Sequence, residues 1–140
     1  MDSEKTPGQP FNLKFAPNPS GWCRHFSGRA AKLSPADKVK VFYDAGFRAM
    51  EFNEYGELPV EEQKAVARQM EKLGMQMGVF APRVGSWEVP NLTGNILDPK
   101  SRIRDKEGVK RMVRSIMESA LEIGKRAGAK WFTVVIGAED

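Results

Sequence analysis

The sequence predicts an α/β protein of parallel strands, each followed by a helix. Three observations carry that expectation. Residues 45–52 (AGFRAMEF), 73–80 (LGMQMGVF) and 127–135 (AGAKWFTVV) repeat one junction, in which a helical pattern ends, a glycine follows and a strand begins. Glycine suits the position after a helix because the backbone there commonly turns left-handed. Strand patterns and helix patterns alternate strictly along the chain, the signature of parallel strands with right-handed crossovers. Finally, the turns from helix to strand are tight, whereas two turns from strand to helix are long, 17–34 and 82–106.

After a polar tail over residues 1–10, the first strand is expected at 11–16, with Phe11, Leu13 and Phe15 on one face and Asn12, Lys14 and Ala16 on the other. Ser34 is a suitable N-cap for a helix over 35–45, with Pro35 at the first helical position and Asp37 three residues beyond the cap. The second strand, 48–53, alternates Met50 and Phe52 with Ala49, Glu51 and Asn53. Pro59 opens a helix over 59–73 that shows Val66, Met70 and Leu73 on one face. In the third strand, 75–81, Met75, Met77 and Val79 alternate with Gln76, Gly78 and Phe80. The helix at 107–127 carries an apolar stripe of Val109, Met112, Val113, Ile116, Met117, Ala120 and Leu121, which core packing accounts for. The fourth strand, 130–136, sets Phe132, Val134 and Ile136 against Trp131, Thr133 and Val135.

Two architectures fit this order. A doubly wound sheet is covered by helices on both faces, so its central strands are apolar throughout. Here one face of every strand is apolar and the other is small or polar, as the lumen of a barrel with a polar site can be. The expectation is therefore an α/β chain of four parallel strands alternating with three helices over residues 11–140, the first half of a (β/α)8 or TIM barrel that stops after the fourth strand. Lys14 and Glu51 would point inward on neighbouring strands and could pair; solvent-exposed strand ends are the competing placement for both. Barrel enzymes carry their chemistry where strands lead into helices, and that is the side with the long loops.

Composition narrows the function. The chain is 41% hydrophobic and 29% charged, without an apolar run long enough to span a bilayer and without an apolar segment behind its polar start. A soluble cytoplasmic protein is expected. A single cysteine, Cys23, excludes an intrachain disulfide and a cysteine-based zinc cluster. The net charge of +4 and pI near 9.3 raise nucleic acid as a partner, but the cations alternate with acids along helices, as in VEEQKAVARQMEK, so no nucleic acid is expected.

The stretches FNLKFAPNP, DAGFRAMEFNEYGELPVEEQ, LGMQMGVF and AGAKWFTVVIG, in that order, resemble the xylose-isomerase-like superfamily of TIM barrels, nearest the hydroxypyruvate isomerase family. The resemblance runs from Phe11 to Gly137 and matches the N-terminal half of barrels about twice this length. It implies aldose–ketose isomerisation or epimerisation by metal-assisted proton transfer on a small sugar or hydroxy acid. It also implies a divalent metal, Mg or Mn, held in the full-length family by carboxylates and a His or Gln on the last four strands. Glutamates there move the proton. No catalytic residue and no metal ligand carries over to this chain, so no bound metal and no turnover are expected of this half-length fragment. The alternative is a non-catalytic half-barrel that binds a small molecule or assembles, and its exposed strand edges would allow a homodimer.

Five residues at the strand-to-helix side are candidates for substrate binding. His25, the sole histidine, lies in the first long loop and could reach a hydroxyl or carboxylate; an ordinary loop histidine is the plain alternative. Asn53 and Glu54 end the second strand, where they could hydrogen-bond substrate or merely cap the next helix. Arg83 could hold a carboxylate or phosphate and Trp87 could lie on a sugar face, against the simpler role of anchoring their own loop. Trp22 and Phe26 share that ambiguity. Relatives in the resembled family often carry a histidine where this chain has Asn18. Glu139 and Asp140, Cys23 and the sequon Asn91-Leu92-Thr93 are given no role.

Overall fold

Ser34 starts the first helix as its chemistry dictates: its Oγ accepts from the Asp37 N–H at 3.1 Å, and Pro35 fills the first turn. In the computed structural model, which describes residues 9–10, 16–19, 32–82 and 106–133, this helix is α1 (Pro35–Asp44). Arg48 fastens its end. The guanidinium donates to the carbonyls of Tyr43 (3.2 Å) and Phe47 (2.7 Å) and lies 4.0 Å over the Tyr43 ring.

Strand β1 (Ala49–Met50) follows, then a 3-10 turn at Asn53–Glu57 and helix α2 (Val60–Leu73). Gly74, at φ +64°, ends α2, and the chain enters β2 (Gln76–Met77) and β3 (Val79–Phe80) on either side of Gly78. Helix α3 (Lys106–Ala127) ends at Gly128, φ +63°, and leads into β4 (Trp131–Phe132). Both glycines hold a backbone conformation that side chains rarely adopt, which is why the junction repeats in the sequence.

All pairing among the described strands is parallel. Ala49 and Met50 pair with Gln76 and Met77, and Val79 and Phe80 pair with Trp131 and Phe132. Residues 76–80 thus lie between 48–52 and 131–133. On the other edge of 48–52, the Glu51 N–H donates to the Pro17 carbonyl at 3.0 Å. Neighbours in space follow chain order. Helix α1 packs on α2, and α2 on α3.

The core forms where the helices meet the strands. Val39, Phe42, Val66 and Met70 from the helices close over Met50, Phe52, Met75, Met77 and Phe80. On the other strand face, Ala49, Glu51 and Val79 are half-buried while Gln76 and Thr133 are exposed.

Several expectations need correction. The third strand does not alternate through its whole length: Phe80 is fully buried and Val79 only half. The cause is Gly78. Its N–H donates to Met50 O at 2.9 Å, and the next residue's carbonyl, Val79 O, accepts from Phe52 N–H at 2.8 Å on the same edge. Two successive residues facing one neighbour mark a bulge, and beyond it inside and outside exchange. The stripe on α3 is narrower than expected. Ile116 and Ala120 are buried, Val113 and Met117 half-buried, and Leu121 is 58% exposed because it stands a further 100° round the helix from Ala120. Asn53 and Glu54 belong to the 3-10 turn and not to a strand. Residues 11–15, Lys14 among them, and 134–140 lie outside the described residues, as do the side chains of Val109 and Met112. No helix among the described residues is long and apolar enough to cross a membrane.

Candidate functional site

The 3-10 turn at Asn53–Glu57 is the best-fixed piece of the strand-to-helix side. Phe52 and Tyr55 are both buried, three residues apart, which is the period of this tight helix. Their rings sit 6.0 Å apart, edge to face, and Tyr55 meets Phe80 in the same manner at 6.4 Å. The Tyr55 hydroxyl donates to the Gln63 carbonyl at 2.9 Å. Burial of the phenol pushes its pKa up to about 12, partly opposed by the positive charge of Arg126.

Gln63 is the hub of this corner and the one buried polar side chain among the described residues. Its Nε2 donates to the carbonyls of Leu58 (2.8 Å) and Gly56 (3.4 Å), and its Oε1 accepts from Arg126 Nη1 of α3. Every polar atom of the amide group therefore has a partner, as a buried amide requires. Gly56 leaves room for α3: a Cβ there would stand 3.3 Å from Ile123 Cδ1. The turn is thus clamped between α2, α3 and β3.

On that clamped turn Asn53 and Glu54 are half-buried. An amide and a carboxylate held on adjacent residues can accept and donate to the vicinal hydroxyls of a small polyol. His25, Arg83 and Trp87 fall outside the described residues, as do Trp22, Cys23, Phe26, the sequon at 91–93, Glu139 and Asp140. Asn18 is half-buried beside Pro17, whose carbonyl binds the Glu51 N–H. Among the described residues, no three His, Cys, Asp or Glu side chains come together to hold a metal ion.

Sequence reasoning passed over Tyr55, Gln63 and Arg126. A signal for one of them existed: Gln63 stands three, seven and ten residues before Val66, Met70 and Leu73, on the same helix face. A polar residue on an apolar stripe points to a buried hydrogen-bonding role. A cavity of about 750 Å³ lies at the opposite end of the strands, lined by neither Asn53 nor Glu54. No family model, no curated protein and no solved structure matches the chain.

Proposed function

We propose that residues 11–140 form the first half of a barrel of the xylose-isomerase-like kind, and that its strand-to-helix side binds a small sugar or hydroxy acid through Asn53 and Glu54. One observation carries the reading. Pro17 binds one edge of 48–52 while Gly78 binds the other, yet a Cβ on Gly78 would stand 3.1 Å from the Ala16 Cβ. Segments flanking a common strand come that close on one face only where the sheet curls hard toward it. That is the face without the helical core, the side a barrel lumen would occupy.

The resemblance places the divalent metal and the proton-moving glutamates on the last four strands of the full-length family, so binding without turnover is proposed for this half. The test is a thermal-shift screen of three- to six-carbon sugars and hydroxy acids, hydroxypyruvate among them, beside an aldose–ketose assay with Mg or Mn. A ligand-dependent rise in Tm without turnover is expected. Metal-dependent turnover by this chain would overturn the non-catalytic assignment, and the absence of any ligand response would overturn the binding site.

A further inference from the structure

The parallel strands are staggered. Strand β1 meets residues 76–77, whereas β4 meets residues 79–80, three positions further on. The step beneath β4 opens the cavity of about 750 Å³, bounded by α2, the strand starts and the α3–β4 turn. Its size falls within the roughly 300–1,000 Å³ of sites for small ligands. Met70, Met75 and Met77 contribute apolar surface. Lys64 and Arg68 of α2, Lys125 and Arg126 at the end of α3, and Lys130 beyond it bring five cations to the lining, against the lone carboxylate of Glu71. Trp131 stands in the same lining with 72% of its surface exposed.

Ordinary surface pairing absorbs this charge only in part. Lys64 and Lys125 pair with Glu61 (2.7 Å) and Glu122 (2.8 Å) on their own helices, in exposed pairs that exchange easily for a better anion. Arg126 donates to an uncharged amide, that of Gln63. Arg68 and Lys130 make neither a hydrogen bond nor a salt bridge among the described residues. Lys125 and Arg126 also offset the negative end of the α3 dipole, which leaves Arg68 and Lys130 as the surplus, with Lys64 held only by its exposed pair with Glu61. An exposed indole beside such a surplus offers a flat face for a planar ring.

We propose that this groove binds a nucleotide, its phosphates on Arg68, Lys130 and Lys64 and its base stacked on Trp131. The cations gather round one step in the strands, and elsewhere on α2 and α3 acids are interspersed with them, which favours a single nucleotide over a long polynucleotide. The site lies at the other end of the strands from Asn53 and Glu54 and stands independently of the proposed function.

The test is calorimetry on the full chain with ATP, pyrophosphate, adenosine and a twelve-residue oligothymidylate. Indole quenching is followed in parallel in a Trp22→Phe/Trp87→Phe background. ATP should bind saturably and more tightly than pyrophosphate or adenosine, quench Trp131, and weaken as salt is raised. Arg68→Glu with Lys130→Glu should lower ATP affinity by about tenfold or more, and Arg68→Gln with Lys130→Gln should lower it in the same direction. Trp131→Ala should weaken ATP and leave pyrophosphate unchanged. All three residues are exposed, so unaltered circular dichroism should accompany each loss. The proposal fails if ATP shows no saturable binding below about 1 mM. It fails equally if both charge variants bind ATP as the parent does, or if the oligonucleotide binds and ATP does not.

Discussion

The Tyr55 hydroxyl and the Gln63 backbone carbonyl meet at 2.9 Å across the start of α2, and this bond ties the turn that carries Asn53 and Glu54 to the helix behind it. The acceptor already belongs to a helix and the donor is buried, so the bond is sheltered from water. Replacing Tyr55 by Phe keeps the ring contacts with Phe52 and Phe80 and removes only the hydroxyl. A loss of about 1 kcal/mol in urea unfolding at neutral pH is expected.

The same residue sets an alkaline limit. Burial raises the folded-state pKa of Tyr55 to about 12, while an unfolded chain ionises tyrosine near 10. The unfolded state therefore gives up this proton first. The contribution of Tyr55 is complete below pH 10 and declines as pH rises from 10 toward 12. Urea midpoints taken at intervals from pH 8 to 11.5 should fall more steeply for the parent than for Tyr55→Phe. Parallel curves would remove Tyr55 as the cause.

Gln63 and Arg126 join α2 to α3 and should behave as a coupled pair. Arg126→Ala leaves the Gln63 Oε1 without its donor at a buried site, for an expected cost of about 1–2 kcal/mol. Gln63→Ala also releases the Leu58 and Gly56 carbonyls and should cost more, about 2–3 kcal/mol. In a double-mutant cycle by urea denaturation the two losses should fall short of additive by about 1 kcal/mol. Full additivity would mean that the contact contributes nothing to stability.

What the sequence disclosed was local, and what it concealed was relational. The Ser34 cap, the glycines after each helix and the helical spacing of Val66 and Met70 act within a few residues, so they could be read directly. Met50 and Phe52 are both buried as the alternation predicts, because residues 48–52 run along 76–79 without a bulge of their own. The bulge at Gly78 depends on how residues 76–80 register against 48–52, which no local pattern states, and so simple alternation puts Phe80 on the wrong face. The position of Asn53 and Glu54 at the end of the second strand pattern was legible, although both belong to a 3-10 turn. Their fixation by Tyr55, Gln63 and Arg126 was not, because the last of these is 63 residues from its partner. The cationic groove was equally hidden, since its residues read singly as solvated helix faces.

Gly78 offers a test of the curl. A methyl group there would stand 3.1 Å from the Ala16 Cβ, closer than ordinary van der Waals contact, and 3.4 Å from the Met50 carbonyl oxygen. Gly78→Ala should destabilise by about 1–3 kcal/mol, the usual cost of overpacking. Combining it with Ala16→Gly removes the nearer obstacle and should restore part of the loss, seen as a partial recovery of Tm. A double variant no more stable than Gly78→Ala would show that residue 16 does not face Gly78, and the barrel reading would lose its main support.

Binding at Asn53 and Glu54 can be separated from folding because neither side chain belongs to the buried core. Asn53→Ala and Glu54→Ala should each leave the Tm without ligand within a degree or two, as substitutions away from the core commonly do. Each should also lower affinity for whichever sugar or hydroxy acid raises the Tm of the parent. The loss of one hydrogen bond to a ligand hydroxyl corresponds to about tenfold in Kd. The Glu54→Gln variant keeps the shape and a carbonyl acceptor while removing the charge. If Glu54 accepts from two hydroxyls, this variant should fall between the parent and Glu54→Ala. Tyr55→Phe supplies the control in the other direction: it loosens the turn without touching ligand, so it should weaken binding and lower the ligand-free Tm together. Affinity that survives both alanine substitutions would move the site away from this turn.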